Sequence, residues 1–245
     1  MMRTRKYWEK LVLVIAVVCG IILLGAVPTT LAGGKKAPFK IASIKSHPYG
    51  KTYGEWAAEW QQWSLGIPKS VSPVLDPDGS LCMVGQRGDV WFLAGHYWSG
   101  TVERTCKVPG GTALFFPLFN TGYLAFLNDP PEQRTEEFVR SQAVCTAPTE
   151  VVAKIDGIDV KNPLQYFEES ALFEVQLPVD NVLGVVEGTD PGEAAELFMS
   201  PSADCGYYLF LLPLPEGEHT IYWKLVWPSY TSEATYYLTV RPALK

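Results

Sequence analysis

The sequence predicts a mainly β protein: an antiparallel β-sandwich with one amphipathic, tryptophan-rich helix near its N-terminal end packed on it. Three observations point there. Short runs rich in β-branched and aromatic residues recur along the chain, separated by Gly, Pro and Ser. The C-terminal third holds three such runs in succession, Tyr207–Leu212, His219–Trp227 and Ala234–Val240. A single stretch, YGEWAAEWQQWSLGIP from Tyr53 to Pro68, has helical periodicity instead.

That helix is framed by its own signals. Thr52 and Glu55 are spaced as a capping box, Gly66 suits the position past the helix end, and Pro68 stops continuation. With 3.6 residues per turn, Trp56, Trp60 and Trp63 lie within about 80° of Tyr53 around the axis. Glu55 and Gln62 point away. Such a stripe suits a helix lying across a sheet. Two readings follow: a buried fastening, which the narrow stripe favours, or an exposed platform for a sugar.

The other elements are read in order. Gly33–Ser46 is small, basic and Pro-containing, and reads as a linker. Leu75–Ser80 (LDPDGS) is a turn. Asp89–Ala94, Thr101–Val108 and Ala113–Phe119 are strands; Arg104 leaves one face of the second only partly apolar, and Pro117 marks an edge or a bulge in the third. Asp129-Pro-Pro-Glu132 predicts a helix start capped by Asp129, running to about Val144. Asp156-Gly157 between two apolar runs predicts a hairpin. Leu164–Leu177 holds a further strand or two, and Asp180–Asp204 is a long acidic segment in which Asp190 caps a short helix.

The first 32 residues carry export features. A basic start with Arg3, Arg5, Lys6 and Lys10 precedes an uncharged apolar run, 11–27, and small residues at Thr30 and Ala32 suit cleavage after Ala32. Residues 1–32 are thus a signal peptide, or else an uncleaved anchor formed by 11–27. Residues 47–245 are the extracytoplasmic sandwich region, secreted or periplasmic, with a division into two lobes near 125–150 left open. The full chain has net charge −6, and without the +3 of residues 1–32 the remainder has −9. Nucleic acid and anionic membrane are poor partners for such a surface. Membrane contact is expected only through the N-terminal segment, if it is retained.

Beyond Cys19 in the apolar run, four cysteines remain: Cys82, Cys106, Cys145 and Cys205. An even number in an exported chain predicts two disulfides. Of three pairings, Cys82–Cys106 with Cys145–Cys205 is favoured, because each half then closes on itself. No CxxC pair exists and no His lies near a Cys in sequence, so no metal site is predicted from them.

The segment GYYLFLLPLPEGEHTIYWKLVW, with Leu214, Gly217, His219, Thr220 and Ile221, resembles the last strands of immunoglobulin-like sandwiches. The resemblance implies a sandwich, immunoglobulin-like or jelly-roll-like, and no particular role. More broadly, YGEWAAEW, CMVGQRGDVWFLAG (82–95), RTCKVPGGTALFFP (104–117) and PLPEGEHTI resemble a group of exported bacterial proteins of unknown function. That likeness implies export and a shared fold, and brings no catalytic residue with it.

Chemistry is sparse. The chain has three histidines, His47, His96 and His219, and no GxSxG motif. His219 is expected to bond the turn before it. His96 lies in AGHYWSG, a loop between two strands, beside Tyr97 and Trp98. These three, with Asn120, are the candidate ligand-binding residues. The leading reading is an interaction module for a carbohydrate, an envelope component or a protein. One alternative is a hydrolase pairing His96 with Asp89 or Glu103; another is a membrane-anchored accessory subunit of an envelope complex. Glu55 and Glu59 share a helix face, but Glu55 belongs to the cap, so they are not read as a catalytic pair. No cofactor is predicted; Ca²⁺ in the acidic segment (Asp180, Glu187, Asp190, Glu193, Glu196, Asp204) is a minor option.

Overall fold

The computed structural model describes residues 39–188 and 196–242. The export segment 1–32, the first linker residues, and Asp190 and Glu193 lie outside the described residues. What is described belongs to one compact unit, Ala37–Lys245.

Two five-stranded sheets face each other. Ten strands supply them: β1 (Val90–Phe92), β2 (Gly100–Pro109), β3 (Ala113–Phe126), β4 (Glu150–Ile155), β5 (Ile158–Asp159), β6 (Phe167–Glu169), β7 (Phe173–Gln176), β8 (Phe198–Leu211), β9 (Gly217–Trp227) and β10 (Tyr230–Arg241). One sheet runs β1-β3-β8-β6, with β7 also paired to β8; the other runs β2-β10-β9-β4-β5. Most pairings are antiparallel, but β1 lies parallel to β3 and β2 parallel to β10. The core between the sheets is aromatic: Phe116, Trp223 and Tyr236 stack in sequence at 5.3 and 5.8 Å.

Side-chain alternation explains which faces meet. On β2, Val102, Cys106 and Val108 point inward, and so does Arg104, only 1% exposed. The partly apolar face expected from the sequence is therefore wholly buried. Arg104 is accommodated by acceptors: Nε donates to Asp76 O at 2.7 Å, and Nη1 to Ala94 O at 2.7 Å and Tyr236 Oη at 2.8 Å. Asp76 in turn accepts amides of Gly79 and Leu81 with its carboxylate, making the LDPDGS turn. On β3, Pro117 sits at a register shift against β8, the bulge that a missing N–H produces. The Asp156-Gly157 hairpin forms with both residues at positive φ, 52° and 74°.

Two expectations change. Helix α2 (Glu136–Gln142) is capped by Thr135, whose hydroxyl accepts from Phe138 N, and Asp129 instead accepts from Phe126 N. Residues Pro131–Gln133 form only a 3-10 turn. A proline pair presets the local backbone, yet Thr135 is the residue with its hydroxyl placed over free amides. Residues 39–42 of the supposed linker also extend the sheet: Ala42 N donates to Phe210 O, Leu212 N donates to Lys40 O, and Ile41 bridges Leu211.

Helix α1 (Tyr53–Gly66) has both halves of its capping box, Thr52 to Glu55 and back. Its aromatic stripe is buried against β3 and β8: Tyr53 0%, Trp56 7%, Trp60 1% and Trp63 9% exposed. Phe115 and Phe210 supply the partner rings. Each such ring contributes on the order of 2–3 kcal/mol through burial. The opposite side of α1 is equally close to its neighbour. A methyl at Gly54 would stand 2.7 Å from Glu169 O on the β6 edge. Gly54→Ala is expected to lower stability by about 1–3 kcal/mol, read as a lower urea midpoint at unchanged slope.

Both disulfides form as paired above, Cys82–Cys106 and Cys145–Cys205, over separations of 24 and 60 residues. They imply an oxidising compartment. Among the described residues no helix is long and apolar enough to cross a membrane.

Candidate functional site

The loop between β1 and β2 is held from three sides. Trp60 Nε1 on α1 donates to Leu93 O at 3.0 Å. Tyr236 Oη donates to Ala94 O at 2.8 Å, and Arg104 Nη1 donates to Gly95 O at 3.0 Å. The buried arginine is thus a brace for this loop. It delivers His96 into the interior, 7% exposed.

His96, Tyr97 and Asn120, far apart in sequence, line one cavity of about 220 Å³. Trp60, Pro117 and Phe119 give it apolar walls, and Thr121, Tyr230 and Ser232 add hydroxyls. Trp98 is adjacent rather than lining: its ring lies 4.9 Å from the imidazole, and its carbonyl accepts from Tyr230 Oη at 3.3 Å. Three of the four candidate residues therefore line one cavity, and the fourth packs beside it.

Two carbonyls face the imidazole. Nδ1 lies 2.7 Å from Trp98 O, and Nε2 lies 3.1 Å from Glu233 O. Burial, aided by the nearby Arg104 charge, pushes the His96 pKa down. A neutral ring has one N–H and can donate to only one of these carbonyls; with the proton on Nδ1 it satisfies the shorter contact, and Nε2 is left as an acceptor with Ser232 Oγ at 3.5 Å as its nearest hydroxyl. At that distance the serine is not an activated nucleophile. Neither Asp89 nor Glu103 bonds His96; Asp89 lines a different cleft.

The carboxylate associated with this cavity is Asp204, which sequence reasoning placed in an acidic loop. It lies on β8, which begins at Phe198, and is 1% exposed. Asn120 Nδ2 donates to its Oδ2 at 2.9 Å, Gln61 Nε2 on α1 donates to the same oxygen at 2.5 Å, and Tyr208 Oη donates to Oδ1. Its backbone N–H donates to Ser170 Oγ at 2.9 Å. Burial pushes the Asp204 carboxyl up to about 7, against the pull of its three donors. Tyr97 completes the group. The residue is 47% exposed, and its hydroxyl bonds Ser64. Burial, with Asp204 nearby, pushes that phenol up to about 12. Arrangements of this kind, polar groups converging on an apolar cavity with a shifted carboxyl behind, are typical of binding sites.

The other residues considered above have local roles. Glu59 pairs with Lys51, Asp180 accepts Ser70 N at 3.0 Å, and His219 bridges Asp156 Oδ2 and Pro215 O at 2.8 and 2.9 Å. Among the described residues no three His, Cys, Asp or Glu side chains are grouped to hold a metal ion. The signal that could have found Asp204 is the strand pattern SADCGYYLFLL, in which an acidic residue sits inside an otherwise small and apolar run.

No family model matches the chain, and no curated protein matches it. Among solved structures, the solution structure of amebosin aligns with 58% of this chain and 96% of its own, at 8% identity and a TM-score of 0.19. That score is too low to argue from, so the functional reading rests on the residues themselves.

Proposed function

We propose that the protein is an exported, disulfide-stabilised binding module that takes a polar ligand group in the cavity between the His96–Tyr97 loop and Asn120. The observation that supports it is the convergence of His96, Tyr97, Asn120, Tyr230 and Ser232 on one space, with Asp204 bonded behind Asn120. At about 220 Å³ the cavity is smaller than the usual range for whole drug-sized ligands. It suits a single ring or the terminal group of a longer chain. A lining that combines hydroxyls with the rings of Trp60 and Phe119 matches a sugar residue, which has both polar edges and an apolar face.

The test is a glycan array followed by titration with the monosaccharides glucose, galactose, mannose and N-acetylglucosamine. Asn120→Ala is expected to weaken binding about ten-fold, a loss of about 1.4 kcal/mol. Trp98→Ala, which removes the ring supporting His96, is expected to weaken it less. Undiminished binding in both variants would place the ligand elsewhere.

A further inference from the structure

A larger concavity is lined by other residues of α1. A cleft of about 700 Å³ runs along the helix, more than three times the volume of the His96 cavity and within the usual range of ligand sites. Its apolar surface comes from Tyr49, Trp56, Trp63 and Phe92. The two indoles tie its walls in place. Trp56 Nε1 donates to Pro48 O at 2.9 Å on one side, and Trp63 Nε1 donates to Val84 O at 3.1 Å on the other.

Tyr49 is the unusual member. It adopts φ 55°, ψ 30°, the left-handed region, followed by Gly50 at φ 84°. A bulky residue seldom sits there, and such outliers gather at ligand clamps. The conformation leaves the ring 44% exposed while its inner side rests 5.8 Å from Phe210. The result is an exposed aromatic ring among the residues that line the cleft.

The polar groups narrow the ligand class. Lys51 and Arg87 stand against Glu59 and Asp89, so the charges lining the cleft cancel. Lys51 is already engaged, paired with Glu59 and held 4.8 Å over the Trp56 ring. A polyanion would find no net attraction here. Arg87 and Asp89 are exposed and offer donors and acceptors beside the aromatic residues, as does the side-chain carbonyl of Gln62, whose Nε2 donates to Glu174 O at 2.8 Å. Aromatic faces with mixed, neutral hydrogen-bonding edges fit pyranose rings, whose C–H faces stack and whose hydroxyls both donate and accept.

We infer that this cleft binds a neutral oligosaccharide, with Tyr49 as the stacking platform and Arg87 and Asp89 as hydrogen-bonding partners, as a site separate from the His96 cavity. The test is calorimetric titration with cellotriose, maltotriose, tri-N-acetylchitotriose and, as an anionic contrast, trigalacturonate. Intrinsic tryptophan fluorescence provides a second readout, because Trp56 and Trp63 line the cleft. At least one neutral trisaccharide is expected to bind with Kd below about 1 mM. Tyr49→Ala should weaken that binding at least ten-fold, Tyr49→Trp should retain it, and Asp89→Asn, an exposed change that leaves packing intact, should weaken it several-fold. Asn120→Ala should leave it unchanged. Binding that persists in Tyr49→Ala, binding lost only in Asn120→Ala, a preference for trigalacturonate, or silence from all three neutral probes would each overturn the proposal. The second of these outcomes would still support the smaller cavity, so the two readings fail separately.

Discussion

Replacing Cys82, Cys106, Cys145 and Cys205 together by alanine is expected to lower the thermal unfolding midpoint by roughly 20 °C. The estimate comes from loop closure in the unfolded chain. Separations of 24 and 60 residues correspond to about 3 and about 4 kcal/mol respectively. A domain of ordinary stability has only about 5–15 kcal/mol in total. Loss of both bridges therefore leaves a protein near the edge of folding. The pairs should also differ. Removing Cys145–Cys205 should cost more, both because its loop is longer and because it ties the segment after α2 to β8, the strand that carries Asp204. Thermal unfolding followed by circular dichroism, comparing Cys82→Ala/Cys106→Ala with Cys145→Ala/Cys205→Ala, checks the ordering. Equal midpoints in wild type and both double variants would mean that the folded core alone sets the stability.

The features legible in the sequence are those governed by near neighbours. The capping box at Thr52 and Glu55, the aromatic stripe of α1, the Asp156-Gly157 hairpin and the bulge at Pro117 are all local physics, and each stands where the residues place it. The two disulfides follow from the same habit, since each closes a loop on itself. What could not be read is long-range. Nothing local distinguishes a parallel from an antiparallel neighbour, so the β2–β10 pairing had no signature. Arg104 leaves its strand face only partly apolar in the sequence, and its burial is not legible there because its acceptors come from residues 76, 94, 95 and 236. The candidate site was half legible. Aromatic and histidine residues on a loop flagged His96–Trp98, but the contribution of Asp204 depends on Gln61, which is 143 residues away in sequence.

Asp204 gives the second large effect, a stability that falls as pH rises. No cation bonds its carboxylate; Gln61, Asn120 and Tyr208 donate as neutral groups. Its carboxyl is raised from 3.8 to about 7 in the folded protein. Between those values the unfolded chain gives up the proton more readily than the folded one. Ionisation therefore favours unfolding, starting near pH 4 and levelling off above about pH 7, with a total of about 4 kcal/mol. Asp204→Asn removes that proton. The variant suffers a constant loss, because an amide cannot accept from Gln61, Asn120 and Tyr208 together, of about 1–3 kcal/mol. Urea unfolding at pH 4, 5.5 and 7 should show wild type ahead by about 1–3 kcal/mol at pH 4 and the difference moving by about 3 kcal/mol in the variant's favour by pH 7, so that the two draw level or the variant leads. Taking the difference between the two proteins cancels other titrating groups, including His96, whose lowered pKa works in the opposite direction, weakening the fold as pH falls. A gap that stays constant with pH would mean that the donors hold Asp204 ionised throughout. The titration also bears on the cavity. An ionised Asp204 can only accept, so Asn120 must turn its amide N–H toward it and leave its carbonyl oxygen for a ligand donor. A protonated Asp204 can donate to that carbonyl, turning the N–H groups outward for a ligand acceptor. On the proposed reading of the cavity, the same proton that sets stability would set which edge of a ligand hydroxyl meets Asn120.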